Sequence, residues 1–209
     1  MLLVGITGSI GTGKSTTAAM FKDYNFGVYN ADDTVHYIYE NDLNIIDKIE
    51  ELFPGTKENN KVNRTLLRNI LNKQPERFKE LESVVHPVTR RYQAVYIEKL
   101  IKEKKFGCIL DVPLLFETGG DQYVDASIVV VASEEKQRAR VVEERQIPME
   151  VFNVLKKQQM PDEEKLKKAN FIISTEKDIE STKTEVENIV EQMKEIAPRA
   201  WHEFYNKTK

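Results

Sequence analysis

The chain has 209 residues, of which 40% are hydrophobic and 31% charged, with a formal net charge of −3. That length supports one full core and an inserted subdomain. The near-balanced charge excludes a general attraction to nucleic acid or an anionic membrane, so any anion site must be local.

The first residues read as an apolar strand at 2–7 (Leu-Leu-Val-Gly-Ile-Thr), so no signal peptide is expected. Gly8-Ser9-Ile10-Gly11-Thr12-Gly13-Lys14-Ser15 follows, and after it a predicted helix over 14–24. A glycine-rich loop ending in Lys-Ser between a strand and a helix is a P-loop. Its glycines let backbone N–H groups turn toward a polyphosphate without a Cβ in the way. Lys14 supplies a point charge for the β- and γ-phosphates, and the Ser15 hydroxyl is a Mg²⁺ ligand. The candidate nucleotide-binding set is Gly8, Gly11, Thr12, Gly13, Lys14, Ser15 and Thr16.

A short second strand over 27–30 precedes a long helical stretch, 32–104, in which no strand is expected. Leu43, Ile45, Ile46, Ile49, Leu52 and Phe53 have helical spacing, and Pro54-Gly55 ends that helix. Asn63 reads as the N-cap of a helix carrying Leu66, Leu67, Ile70 and Leu71. A further helix starts near 76, with Pro87 marking a kink or a break. Strands follow at 107–112 and 126–132, charged helices at 134–146 and 149–159, a fifth strand at 170–174, and a last amphipathic helix through Ile179, Val186, Ile189, Val190 and Met193.

Strands separated by helices imply an α/β fold with a five-stranded parallel sheet flanked by helices. The segment between strands two and three is too long for a simple crossover. It is expected to form a helical subdomain over the carboxyl edge of the sheet, where open α/β folds bind ligands. The chain divides into a nucleotide core (1–31 and 106–209, with a lid near 134–160) and an inserted helical domain (32–105).

A P-loop does not name a reaction. A GTPase would carry Asn-Lys-x-Asp after a strand, and the near match Asn206-Lys207-Thr208-Lys209 lacks the aspartate. The features that favour a small-molecule kinase are carboxylates at strand ends. Asp32 and Asp33 follow strand two, and Asp111 closes strand three. Such a carboxylate either accepts a substrate hydroxyl proton, holds Mg²⁺, or merely caps the next helix. Asp111 reads equally as a metal-side residue or as a tie for the P-loop.

The chain resembles the dephospho-CoA kinase family over nearly its whole length. The resemblance rests on the P-loop, Ala31-Asp32, His86-Pro87, Val112-Pro113-Leu114-Leu115-Phe116-Glu117, the arginine-bearing 137–145 segment, Gln159-Met160 and Glu164-Lys165. It implies transfer of the γ-phosphoryl of ATP to the ribose 3′-hydroxyl of dephospho-CoA with Mg²⁺ as cofactor. It also implies a CoA-side helical domain and a mobile lid. By position it makes Asp32 the general base, Lys14 and Ser15 the phosphate and magnesium ligands, and Arg140 the lid arginine; Asp111, from its strand-end position, joins Ser15 as a candidate metal-side residue. The resemblance associates His86 and Arg64 with substrate; Leu114 and Glu117, in the run after strand three, complete the candidate substrate-side set.

Three departures stand out. Asn30 replaces the first aspartate of Asp-Ala-Asp; Arg140 and Arg145 are five apart rather than four, with Arg138 nearby; and Ser174-Thr175 stands where Asp-Asn is usual. Another P-loop kinase with a nucleoside or nucleotide acceptor, and a non-catalytic ATP-binding module, are the alternatives. The expected partners are small molecules only, the state a monomer or small homo-oligomer, and the location the cytoplasm. The single Cys108 excludes a disulfide within the chain and a cysteine-based zinc cluster. It reads as a core residue.

Overall fold

Every residue of β1 (Leu2–Thr7) is buried, as a central parallel strand covered on both faces requires. The computed structural model describes residues 1–205; the quartet Asn206-Lys207-Thr208-Lys209 lies outside the described residues. β1 is followed by α1 (Lys14–Met20) with a 3-10 turn to Tyr24, β2 (Phe26–Asn30), α2 (Ala31–Asn41) and α3 (Leu43–Leu52). Next come β3 (Lys57–Glu58), β4 (Lys61–Val62), α4 (Arg64–Lys73) and α5 (Phe78–Lys102). The chain continues through β5 (Gly107–Asp111), β6 (Ala126–Val131), α6 (Glu134–Arg138), a π-helical turn over Ala139–Glu144, α7 (Met149–Lys157), α8 (Asp162–Lys168), β7 (Phe171–Ser174) and α9 (Ile179–Met193).

The main sheet has the order β2-β5-β1-β6-β7. β1 pairs in parallel with β5 (Ile6 beside Asp111) and with β6, which pairs in parallel with β7. This register brings the P-loop, which leaves the end of β1, alongside Asp111 at the end of β5.

The chain forms two compact units, 1–29 with 99–209, and 30–98. In the first, alternate residues of β1 and β6 (Leu2, Val4, Ile6; Ala126, Ile128, Val130) pack with Ala18 of α1 and with Val186, Ile189, Val190 and Met193 of α9. Val129 meets Leu115 and Phe116, with Met160 and Leu166 alongside. Cys108 is wholly buried, and burial pushes its thiol up to about 12. Trp201 is largely buried and stacks on Tyr205. In the second unit, Ile38, Ile45, Ile46, Ile49, Phe53, Leu67, Leu71, Val85 and Val88 form a separate cluster.

Four local readings of the sequence are corrected. The 32–104 stretch contains the β3–β4 hairpin, turned through Asn59 and Asn60, both at positive φ; two left-handed residues match the twist of a tight hairpin, and asparagine tolerates them. Of the kink or break expected at Pro87, the break is corrected: α5 continues through it. The expected helix over 134–146 is α6 plus the π-helical turn, closed by Gln146 at positive φ. α8 was not expected: its run Asp-Glu-Glu-Lys-Leu-Lys-Lys offers one apolar residue, but three acids in its first turn and lysines in its last suit the helix dipole.

Candidate active site

The P-loop needs its glycines for distinct reasons. Gly11 and Gly13 have φ of 82° and 85°, where an L side chain is strained. A Cβ on Gly11 would also lie 2.6 Å from the carbonyl oxygen of Gln137, and one on Gly8 2.5 Å from that of Val130. The loop is braced internally by Thr12, whose N–H and Oγ1 both donate to the Ser9 carbonyl at 3.2 and 2.9 Å. Gly13 supplies the N-cap of α1 without a capping side chain, so the first turn presents backbone N–H groups, the arrangement that binds phosphate.

Lys14 Nζ pairs with Asp111 Oδ1, and the Ser15 hydroxyl donates to Asp111 Oδ2 at 3.0 Å. Asp111 is 2% exposed. One buried carboxylate thus orients both functional side chains of the loop. A serine hydroxyl beside a carboxylate offers hard oxygen donors of the kind that suit Mg²⁺. Thr16 is exposed at the next position. Among the described residues no cluster of three or more His, Cys, Asp or Glu forms an all-protein metal cage.

Of the three candidate arginines, only Arg140 reaches the P-loop. Its guanidinium donates to the Gly11 carbonyl (3.2 Å), the Thr175 hydroxyl (2.9 Å) and the Thr175 carbonyl (3.0 Å). Arg138 and Arg145 are exposed. Thr175, one of the departures from the family pattern, is 7% exposed and donates its hydroxyl to the Thr12 carbonyl at 2.7 Å. It ties the loop after β7 to the P-loop. The next residue, Glu176, accepts from Ser133 N–H at 2.8 Å; that bond, first among several, holds its carboxyl below the usual range.

In the helical unit, Asn30 caps α2. Its Oδ1 accepts from the N–H groups of Asp32 (2.9 Å) and Asp33 (3.1 Å). Capping therefore falls to Asn30, and the Asp32 carboxylate is exposed in the first turn of α2. Arg64 opens α4 behind the Asn63 cap, which accepts from Leu66 N–H. It acts electrostatically on the buried phenol of Tyr39, whose pKa is pushed up to about 12 by burial, with Arg64 opposing. His86 is exposed on α5, its carbonyl accepting from the Thr89 hydroxyl at 2.9 Å. Leu114 is 39% exposed, whereas Glu117 Oε1 accepts from Met160 N–H at 2.7 Å and lies 3.7 Å from Lys165 Nζ.

A set of P-loop contacts escaped the sequence reading. Ser9 Oγ donates to Asp162 Oδ1 at 2.5 Å and accepts from Lys165 Nζ at 3.1 Å. Gln159 Oε1 accepts from Ile10 N–H at 2.9 Å. The only signal was the recurrence of Gln159 and Lys165 among motif positions, and a lysine in a charged run gives no hint that its side chain is 0% exposed.

Comparison with known proteins agrees with this geometry. The family model described as Dephospho-CoA kinase matches residues 2–181. A dephospho-CoA kinase of Rhodopseudomonas palustris is 41% identical over 191 residues, 91% of this chain and 95% of that protein. Among solved structures, a Thermus thermophilus protein superimposes with a TM-score of 0.80 at 30% identity, covering 92% of this chain and 97% of that one. A dephospho-CoA kinase from Campylobacter jejuni gives 0.67 at 27% identity, covering 91% and 96%. A P-loop braced on a buried strand-end aspartate, set in this five-stranded sheet and matched over nearly its whole length, places the chain in the dephospho-CoA kinase family.

Proposed function

We propose that the protein transfers the γ-phosphoryl group of ATP to the ribose 3′-hydroxyl of dephospho-CoA, giving coenzyme A and ADP. The observation that carries this reading is the convergence of Lys14 and Ser15 on the buried Asp111 beside an intact Gly8–Ser15 loop, in a chain of this family. The loop's N–H groups and Lys14 hold the triphosphate. Ser15 and Asp111 are the residues that would hold Mg²⁺, which when bound neutralises phosphate charge. Asp32, exposed and relieved of capping by Asn30, accepts the 3′-hydroxyl proton as that oxygen attacks the γ-phosphorus in line; the β–γ bridging oxygen leaves with ADP. Arg140, already on the P-loop through Gly11, faces charge developing on the transferred group, an arginine finger supplied in cis.

On this reading the helical insertion, 32–105, takes the CoA side of the acceptor, with Arg64 and His86 as substrate contacts, and 134–160 is a lid that keeps water from the phosphoryl group. Leu114 is exposed and available to the acceptor, while Glu117 serves the interior through Met160 and Lys165. The test is ADP release by the purified protein with Mg·ATP, with and without dephospho-CoA, and the mass of the product. Acceptor-dependent ADP and a product heavier by one phosphate support the reading. Turnover only with a nucleoside or nucleotide acceptor replaces the substrate. ATP binding with no turnover on any acceptor replaces the kinase with a binding module.

A further inference from the structure

Lys165 is a cation with no exposed side-chain surface. A buried charge persists only where its partners repay the loss of water, and here one of those partners, Ser9, lies in the P-loop itself. Lys165 Nζ lies 3.1 Å from Ser9 Oγ and 3.7 Å from Glu117 Oε1. Asp162, one turn earlier on α8, accepts a hydrogen bond from the Ser9 hydroxyl at 2.5 Å. Just before α8, Gln159 accepts from Ile10 N–H and Met160 N–H donates to Glu117. Ser9 is 5% exposed with its hydroxyl engaged on both sides. Neither it nor Lys165 is available to a nucleotide.

The contacts fall on the Ser9-Ile10 stretch, between Gly8 and Gly11 in the first half of the loop. Its backbone course decides where the N–H groups that follow it point. The later half is held otherwise, by Thr12, Thr175 and Arg140. We infer that Lys165 is a positioning residue for the nucleotide. Through Ser9, with Asp162 and Gln159, it holds the entry of the P-loop in its phosphate-receiving form, and so links the α7–α8 junction to nucleotide binding. Removing the cation takes away one Ser9 partner and the ion-pair partner of Glu117. The expected loss is therefore specific to the polyphosphate, because placement errors near 1 Å cost about 10² in rate. The inference rests on the P-loop binding ATP, not on the identity of the acceptor.

The experiment measures Mg·ATP affinity calorimetrically in the absence of acceptor, then kcat and KM for both substrates, in wild type, Lys165→Met, Lys165→Arg, Ser9→Ala and Gln159→Ala. Lys165→Met weakens ATP binding by roughly tenfold or more, with KM for dephospho-CoA within about twofold of wild type. Ser9→Ala, which removes the hydroxyl and keeps every charge, gives a smaller change of the same kind, and Lys165→Arg recovers part of the loss. The inference is overturned if Lys165→Met lowers only the melting temperature with ATP affinity kept, or if both KM values rise together. Should Lys165→Met not fold, unchanged ATP affinity in both Ser9→Ala and Gln159→Ala overturns it equally. A wild type that binds ATP but does not phosphorylate dephospho-CoA would sink the acceptor assignment and leave this readout standing.

Discussion

At the scale of single residues, the roles separate by what each side chain touches. Asp32 is exposed, and Asn30 does the capping. Asp32→Ala should therefore leave stability nearly unchanged and lower kcat by about 10²–10⁴, the range for a positioned base; retention of more than about a tenth of wild-type turnover would remove it from the base position. Asn30→Ala deletes two cap bonds and should cost about 1 kcal/mol by urea unfolding, whereas Asn30→Asp caps equally well and should be close to neutral. This departure from the family pattern thus keeps the local structure intact. Cys108, with its thiol pushed up to about 12 by burial, should resist thiol reagents at pH 8 in the native protein and react only in denaturant. Rapid native labelling would show that the β5 core opens.

At the scale of elements, loops and caps decide more than helix propensity does. Glu50 on α3 accepts from the N–H groups of Gly55 (2.8 Å) and Lys57 (2.6 Å), and these bonds, that of Gly55 first, hold its carboxyl below the usual range. A depressed carboxyl contributes stability above its unfolded pKa and loses it as pH falls through the folded one. Glu50→Gln should accordingly destabilise at pH 7 and cost little at pH 3; denaturant titrations at the two values check the sign, and an equal cost at both would refute it. Gly11→Ala meets both a positive φ and the Gln137 carbonyl, so it should lower the melting temperature and abolish ATP binding together.

Legibility at this scale follows contiguity. The P-loop, the Asn63 cap and the strand cores were readable because each is encoded within a few neighbouring residues. The β3–β4 hairpin was missed because two-residue strands carry no period, although Asn59-Asn60 was its turn signal. α8 was missed because a run with one apolar residue has no hydrophobic stripe, its stability coming from end charges and from Lys165 packing on Ser9. The π-helical turn at 139–144 also left no mark in the sequence.

At the scale of the molecule, the P-loop is the point where distant segments meet: β5 through Asp111, the α6–π segment through Arg140, the loop after β7 through Thr175, and α8 through Lys165. Nucleotide binding should then stabilise the whole of the 1–29 and 99–209 unit. At about 100 times Kd the gain is about 2.7 kcal/mol, a rise of about 5–10 °C in melting temperature for a chain of this size. Differential scanning fluorimetry with Mg·ATP measures it. Lys14→Met should abolish the shift, and a shift that survives would place the nucleotide elsewhere.

The sequence by itself determined the reaction class and most of the candidate set, because a P-loop is a local backbone device and its glycines, lysine and serine are consecutive. It also determined that a helical insertion separates the second strand from the third core strand. Only the tertiary structure decided which arginine meets the loop, that Asp111 orients Lys14 and Ser15, that Glu117 faces the interior, and that a lysine from a charged run is buried beneath Ser9. Those contacts join residues 43 to 156 positions apart, and whether a charged side chain is solvated or buried depends on packing that no local pattern records.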